Sequence, residues 1–170
     1  ISKLNNSLEK INKHYDDYKL NEVIKTIYEF VYDYFCDWYI EFTKTRFYGS
    51  DKKDKELAES VSIYVLKNIL KLLHPFTPHI TEEIWSFINF DNDILLINSQ
   101  SPIFNSDMAN ERIEKELKLI MTTVSGIRNI KASLNIPYSK TINMNVRGKK
   151  KYTNIIKDNI DLIKRMIKID

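Results

Sequence analysis

The sequence is poor in the residues that punctuate a chain. Three glycines and four prolines stand among 170 residues, too few for an architecture of many tight turns, so long helices are favoured over a multi-strand β fold. Gly49, Gly126 and Gly148 lie far apart, which excludes a glycine-rich phosphate loop. Cys36 is the only cysteine. It can form neither an internal disulfide nor a cysteine-based zinc site, and a reducing, cytoplasmic compartment is expected. His14, His74 and His79 make no recognisable ligand set, since a metal site needs three or four donors; no metal is expected. No apolar run approaches the length that spans a membrane, so no membrane partner is expected. The opening stretch, Ile1-Ser2-Lys3-Leu4-Asn5-Asn6, has neither Met nor a signal-peptide layout, and it reads as the interior of a longer protein.

What remains is ordinary for a globular chain: 43% hydrophobic and 29% charged residues, enough to bury a core. The net charge of +3 is unevenly spread. Residues 139–170 hold nine Lys/Arg against three Asp, or +6, whereas the rest holds 17 cations against 20 carboxylates, or −3. A mildly acidic body with a basic tail fits a polyanion near one end, and fits equally a solvated lysine-rich surface.

Periodicity gives the elements. Leu4, Leu8, Ile11 and Tyr15 form one stripe of a helix over 2–16. A long helix over 20–46 carries Val23, Ile24, Ile27, Phe30, Val31, Tyr34, Phe35, Trp38 and Phe42 at helical spacing. Trp38 is expected to be packed and Tyr39 to lie at the bundle's edge. Gly49 and Ser50 end this helix. A helix over 52–74 turns Leu57, Val61, Tyr64, Val65, Asn68, Ile69 and Leu72 inward and stops at Pro75. Thr77 as N-cap and Pro78 at the first helical position open a helix over 78–89. Ile94–Ile97 is a buried strand or an anchored loop, and 98–108 is loop. A helix over 109–133 ends at Asn135-Ile136-Pro137. Thr141–Val146 alternates polar and apolar, the pattern of a half-buried strand. Residues 150–157 form a helix, and 159–169 a helix or second strand. The expected fold is mainly α: an antiparallel helical bundle over 1–138 and a small basic α/β appendage over 139–170.

No residue set fixes a catalytic role. Glu82 and Glu83 are adjacent on a helix and point about 100° apart, so dipole chemistry at the helix start explains them better than a catalytic dyad. His74 is expected to be a satisfied helix-end histidine and Cys36 a core thiol. No catalytic residue is expected here.

Three segments carry a resemblance. Phe35-Cys36-Asp37-Trp38-Tyr39-Ile40-Glu41, extended by Thr43-Lys44, resembles a pattern of valyl-tRNA synthetases. His74-Pro75-Phe76-Thr77-Pro78-His79-Ile80-Thr81-Glu82-Glu83-Ile84-Trp85 is similar to a segment shared by the valyl, leucyl and isoleucyl enzymes. Ile127-Arg128-Asn129-Ile130-Lys131-Ala132, then Leu134–Pro137 and Ser139-Lys140, again looks valyl-like. Together they span roughly 35–140 in order, and the region resembled is the anticodon-binding region of class I aminoacyl-tRNA synthetases. The resemblance implies a helical bundle that binds the anticodon side of tRNA(Val), joined to catalytic and editing domains of the same chain. It implies a full-length enzyme that attaches valine to that tRNA using ATP and Mg. The nucleotide signatures of that family, of His-x-Gly-His and Lys-Met-Ser-Lys-Ser type, have no counterpart here. Nor has its earlier Asn-rich helix with Trp and Arg/Phe, so the anticodon site is expected to be incomplete; the family's C-terminal coiled-coil arm also has none. A scaffold or protein-interaction module without an RNA role is the alternative.

Within that resemblance, RNA contacts need cations for phosphates and flat side chains for unpaired bases. Lys44 and Arg46, followed by Phe47 and Tyr48, bring both to one helix end, where the same cations would also serve the helix dipole. Arg128 and Lys131 share a helix face, expected at the solvent border with Ile127 and Ile130 inward. Arg147, Lys149, Lys150 and Lys151 crown the turn near Gly148 as phosphate candidates.

Overall fold

The computed structural model describes residues 1–88 and 94–169. They form two compact units, Ile1–Ala109 and Asn110–Asp170. Both are built from helices. The first holds α1 (Ser2–Asp16), α2 (Leu20–Glu29), a π-helical segment (Phe30–Ile40), α3 (Glu41–Phe47), α4 (Lys52–Leu73) and α5 (Pro78–Ile88). The second holds α6 (Glu111–Ser133), α7 (Lys150–Asp158) and α8 (Ile160–Ile167). Residue 89, the last of the helix expected over 78–89, lies outside the described residues.

In the first unit α1 packs on α2, α2 and α3 pack on α4, and α4 packs on α5. The α1 stripe is buried as expected through Leu4, Leu8 and Ile11, and it meets Val23, Ile27, Phe30, Val65, Ile69 and Leu72 in one core. Removing each such side chain from water is worth about 1.5–3 kcal/mol. Tyr15, the fourth residue of the expected stripe, is exposed, because α1 ends one residue later. There Tyr18 takes a left-handed φ of 55°, and Lys19 N–H donates to the His14 carbonyl at 2.8 Å.

The helix expected over 20–46 is continuous but not uniform: its middle eleven residues wind as a π-helix. Wider turns carry residues off the 3.6-residue stripe. Cys36, expected in the core, is therefore exposed. Rings four residues apart stack along this rod: Tyr28 on Tyr32 at 4.4 Å between centroids, and Phe35 on Tyr39 at 5.7 Å. Trp38 and Tyr39 are both half-buried. The Tyr39 hydroxyl reaches α4, 3.4 Å from the Ala58 carbonyl and 3.3 Å from Ser62 Oγ. On α4 the expected inward face is narrower than the periodicity indicates, since Leu57 and Tyr64 are exposed.

Polar side chains fasten the loops of this unit. Asp51 caps α4 by accepting from the Lys53 and Asp54 N–H groups. Buried Asn5 donates to the Asn105 carbonyl at 2.6 Å and accepts from the Asn105 N–H at 2.8 Å, pairing with a backbone a hundred residues away. Thr77 stands where α5 begins, its carbonyl accepting from Thr81 N–H, but its hydroxyl turns back to the Leu73 carbonyl instead of capping. Glu82 accepts from the Leu96 N–H at 2.7 Å and Trp85 Nε1 donates to the Ile94 carbonyl at 3.1 Å. Leu96 is buried against Leu70 and Trp85. The 94–97 segment is thus an anchored loop with a 3-10 turn, not a strand, and Glu82 secures it beyond any dipole role.

In the second unit Asn110 caps α6 by accepting from Ile113 N–H. Ile120, Val124, Ile156, Ile163, Met166 and Ile167 are buried. The strand expected over 141–146 is reduced to one parallel bridge, Ile142 to Ile169. A strand needs a partner to satisfy its backbone groups, and residues 160–167 supply a helix. The appendage is accordingly helical, and the mainly α fold class stands.

Lys131 organises this unit. It is 3% exposed, and its ammonium donates to the Lys140, Ile167 and Lys168 carbonyls at 2.7, 2.9 and 3.4 Å. Two of these oxygens close α8, where the helix dipole favours a cation and Lys168 takes a left-handed φ of 49°. The Tyr138 hydroxyl donates to the neighbouring Met166 carbonyl.

Two stability outcomes follow in urea unfolding. Lys131→Met keeps the aliphatic stem but strips three carbonyls of their donor, and should destabilise the second unit by about 2–3 kcal/mol; a change under about 0.5 kcal/mol would contradict the role given to it. Tyr18→Gly should stabilise by about 1 kcal/mol, because a left-handed backbone strains every residue with a Cβ; a loss of stability would show that the Tyr18 ring does more than tolerate its place.

Candidate nucleic-acid interface

The cations singled out in the sequence fall into three classes. Lys44 is exposed and pairs with Glu41, one turn earlier, at 2.5 Å. Such surface pairs are worth little and leave the lysine able to exchange partners. Arg46 is committed. Its Nε donates to Asp54 Oδ1 at 2.9 Å, its Nη2 forms an ion pair with the same oxygen at 2.7 Å, and Nη2 donates to the Asp54 carbonyl at 3.4 Å. The Asp54 hydrogen bond holds the guanidinium's pKa above its ordinary value. The group fastens the end of α3 to the start of α4, so the helix-end role weighed beside RNA contact has a structural counterpart. Tyr48 is exposed beside it and Phe47 is half-buried.

Arg128 and Lys131 do not border solvent together. Arg128 is half-buried, and Lys131 is buried on the carbonyls described above. Ile130, expected inward, is 55% exposed. The last turns of α6 are rotated relative to the periodicity because the Lys131 stem, not Ile130, enters the interior. A long aliphatic stem lets lysine cross apolar surroundings and deliver its charge to a carbonyl cluster.

Arg147, Lys149 and Lys150 are exposed, as is Lys151. Lys149 is the N-cap of α7, Lys150 opens it, and its first turn holds no acid. Cations at a helix N-terminus add to the positive end of the dipole instead of offsetting it. The local field therefore favours an anion there, and phosphate is the anion that backbone N–H groups and lysines bind well. The sequence contained this signal, since three consecutive lysines precede an apolar-periodic run without an N-cap side chain.

The two histidines of the Pro-Phe-Thr-Pro segment share a cavity of about 430 Å3 with Glu82 and Glu83. His74 Nδ1 lies 2.8 Å from the hydroxyl of buried Thr81, and its Nε2 lies 3.9 Å from Glu82 Oε2. It is held by its own helix junction, whereas His79 is exposed. Among the described residues no group of three His, Cys, Asp or Glu could hold a metal, and no described helix is long and apolar enough to cross a membrane.

Comparison with known proteins places this arrangement. Residues 1–146 match the family model described as the anticodon-binding domain of tRNA ligase. The chain is 36% identical over 149 residues to a valine–tRNA ligase of Geobacillus kaustophilus, covering 88% of this chain and 17% of the relative. It is 34% identical over 166 residues to that of Listeria innocua, covering 97% and 19%. The valine–tRNA ligase of Geobacillus stearothermophilus is 35% identical over 149 residues, covering 88% and 17%. The chain thus spans less than a fifth of the length of these relatives. The chain belongs to the family of anticodon-binding domains of tRNA ligases.

Proposed function

We propose that this chain is the tRNA-binding region of a valine–tRNA ligase, and that it holds the anticodon side of tRNA(Val) while other domains of the same enzyme perform the chemistry. The observation that carries this reading is the family match over residues 1–146. The names of the relatives support the choice of valine. The full enzyme joins valine to its tRNA at the expense of ATP, with Mg, in the cytoplasm. The residues described here do not fit the ATP and Mg part of that reaction: no glycine-rich loop exists to cradle phosphates, and no acidic or histidine cluster could hold the ion.

Within the chain, Arg147, Lys149 and Lys150 serve as exposed phosphate contacts, Lys44 adds a cation that can leave Glu41, and Tyr48 offers an exposed ring. Arg46 acts through position, by holding the α3–α4 corner. Arg128 flanks, and Lys131 supports from within. The scaffold alternative draws on a stripe of exposed apolar residues one turn apart, Leu20, Ile24, Tyr28 and Tyr32.

Titrating the chain with a tRNA(Val) transcript over a range of salt separates the two readings. Binding should weaken with a steep, linear log–log slope, and Arg147→Gln/Lys149→Gln/Lys150→Gln should flatten that slope by about 0.7–0.9 for each phosphate interaction removed. Binding absent even at low salt, or a slope unaffected by the triple substitution, would favour the scaffold reading.

A further inference from the structure

We propose that the exposed row Leu20, Ile24, Tyr28, Tyr32 and Cys36 is a seam that receives a cationic amphipathic helix from the rest of the ligase. The inference rests on the part of the reading above that puts this chain within a longer valine–tRNA ligase. Taken in steps of four, the rod that runs from α2 through the π-helical segment has four rows. The two rows that start at Glu22 and Val23 are buried or half-buried throughout, to Trp38 and Tyr39. The third, Asn21, Lys25, Glu29, Asp33 and Asp37, is wholly exposed and polar, as a solvated row should be. The fourth is exposed as well, yet it is apolar: Leu20 is 54% exposed, Ile24 46%, Tyr28 58% and Tyr32 53%, and Cys36 follows them. A row of fours drifts around an α-helix of 3.6 residues per turn. The wider turns after Glu29 offset that drift, so the apolar row keeps to one side of the rod.

The seam is contiguous and already ordered. Tyr28 stacks on Tyr32 with 4.4 Å between centroids and 25° between planes. Rings held in place before contact lose little freedom on it, and aromatic side chains anchor interfaces. A ridge of side chains one turn apart is the shape that a second helix takes into its grooves. The neighbouring row sets the sign of that helix. Residues 20–40 hold four carboxylates and one lysine. Among the described residues, Glu29, Asp33 and Asp37 enter no ion pair. This side of the rod therefore repels phosphate and attracts Lys and Arg. A second copy of the chain fits poorly, because an antiparallel two-fold pairing of the seam lays the acidic row against itself. In a ligase of the relatives' length, more than four-fifths of the polypeptide lies outside this chain. A helix from that part is tethered, and its effective concentration favours it over a separate protein.

Cys36 is the chain's only cysteine and lies in the seam, so its thiol reports whether the seam is covered. Maleimide labelling, read by mass spectrometry on the peptide that carries Cys36, would be compared between this chain alone and the full-length ligase, both without RNA. The expected result is labelling slower by about tenfold or more in the full-length enzyme. In Glu29→Lys/Asp33→Lys/Asp37→Lys the ratio of the two rates should fall toward one, because the new lysines repel a cationic helix. Taking the ratio cancels the direct effect of those lysines on the thiol. Carbodiimide cross-linking should join Asp33 or Asp37 to a lysine of the same polypeptide outside residues 1–170. Equal labelling rates in the two proteins would overturn the inference and leave the tRNA reading standing. Cross-links that form only between copies would overturn it in favour of a dimer face. Labelling of the free chain slowed by tRNA(Val) would overturn it in favour of an RNA face. A free chain that binds no tRNA(Val) at low salt counts against the tRNA reading alone, since the labelling ratio is measured without RNA.

Discussion

The second unit depends on a single buried charge. An ammonium cannot leave water without partners, and Lys131 finds three, all backbone carbonyls, drawn from the segment after α6 and from the end of α8. These oxygens need a donor as much as the lysine needs acceptors. Two belong to a helix C-terminus, where carbonyls point outward without partners. One side chain therefore satisfies the end of α8 and fixes the course of residues 135–142. The bridge between Ile142 and Ile169 and the Tyr138 hydroxyl on Met166 complete the same junction. The consequence for function is direct: the most RNA-like lysine of the third sequence motif is a fastening, whereas Arg147, Lys149, Lys150 and Lys151 stay exposed.

The first unit solves the same problem with neutral groups and one carboxylate. Asn5 mimics a strand partner for Asn105, Glu82 accepts from the Leu96 N–H, and the Trp85 indole N–H donates to the Ile94 carbonyl. In each case a helix side chain gives loop backbone a hydrogen-bond partner. Irregular segments are thereby held in register against rigid helices, which is how a helical scaffold positions a binding surface.

Much of this is legible in the sequence. The boundaries of α1 and α4 and the core residues Leu4, Leu8, Ile11, Val23 and Ile27 follow from apolar spacing, and the family follows from the three motifs; the stretch expected as loop over 98–108 ends in a 3-10 turn at Ser106–Met108. What escapes does so for physical reasons. A 3.6-residue template cannot foresee a π-helical stretch, so Cys36 and the rings around it fall on faces other than those the spacing assigns. Hydropathy ranks lysine as an exterior residue, so it puts Lys131 outside and Ile130 inside, the reverse of what the structure shows. Alternation over 141–146 marks a segment able to form a strand, but only the tertiary structure shows that no partner strand is offered. The cationic turn at 147–151 is exposed as its composition indicates, and its relation to the start of α7 strengthens the case for an anion there.

The central claim is that this scaffold meets the anticodon side of a tRNA. Its most direct measurement is a nuclease and hydroxyl-radical footprint of a tRNA(Val) transcript bound to the chain at low salt. The account requires protected phosphates in the anticodon arm, with the acceptor end still cleaved as in free RNA. Protection confined to the acceptor end, or a cleavage pattern unchanged by saturating protein, would contradict it.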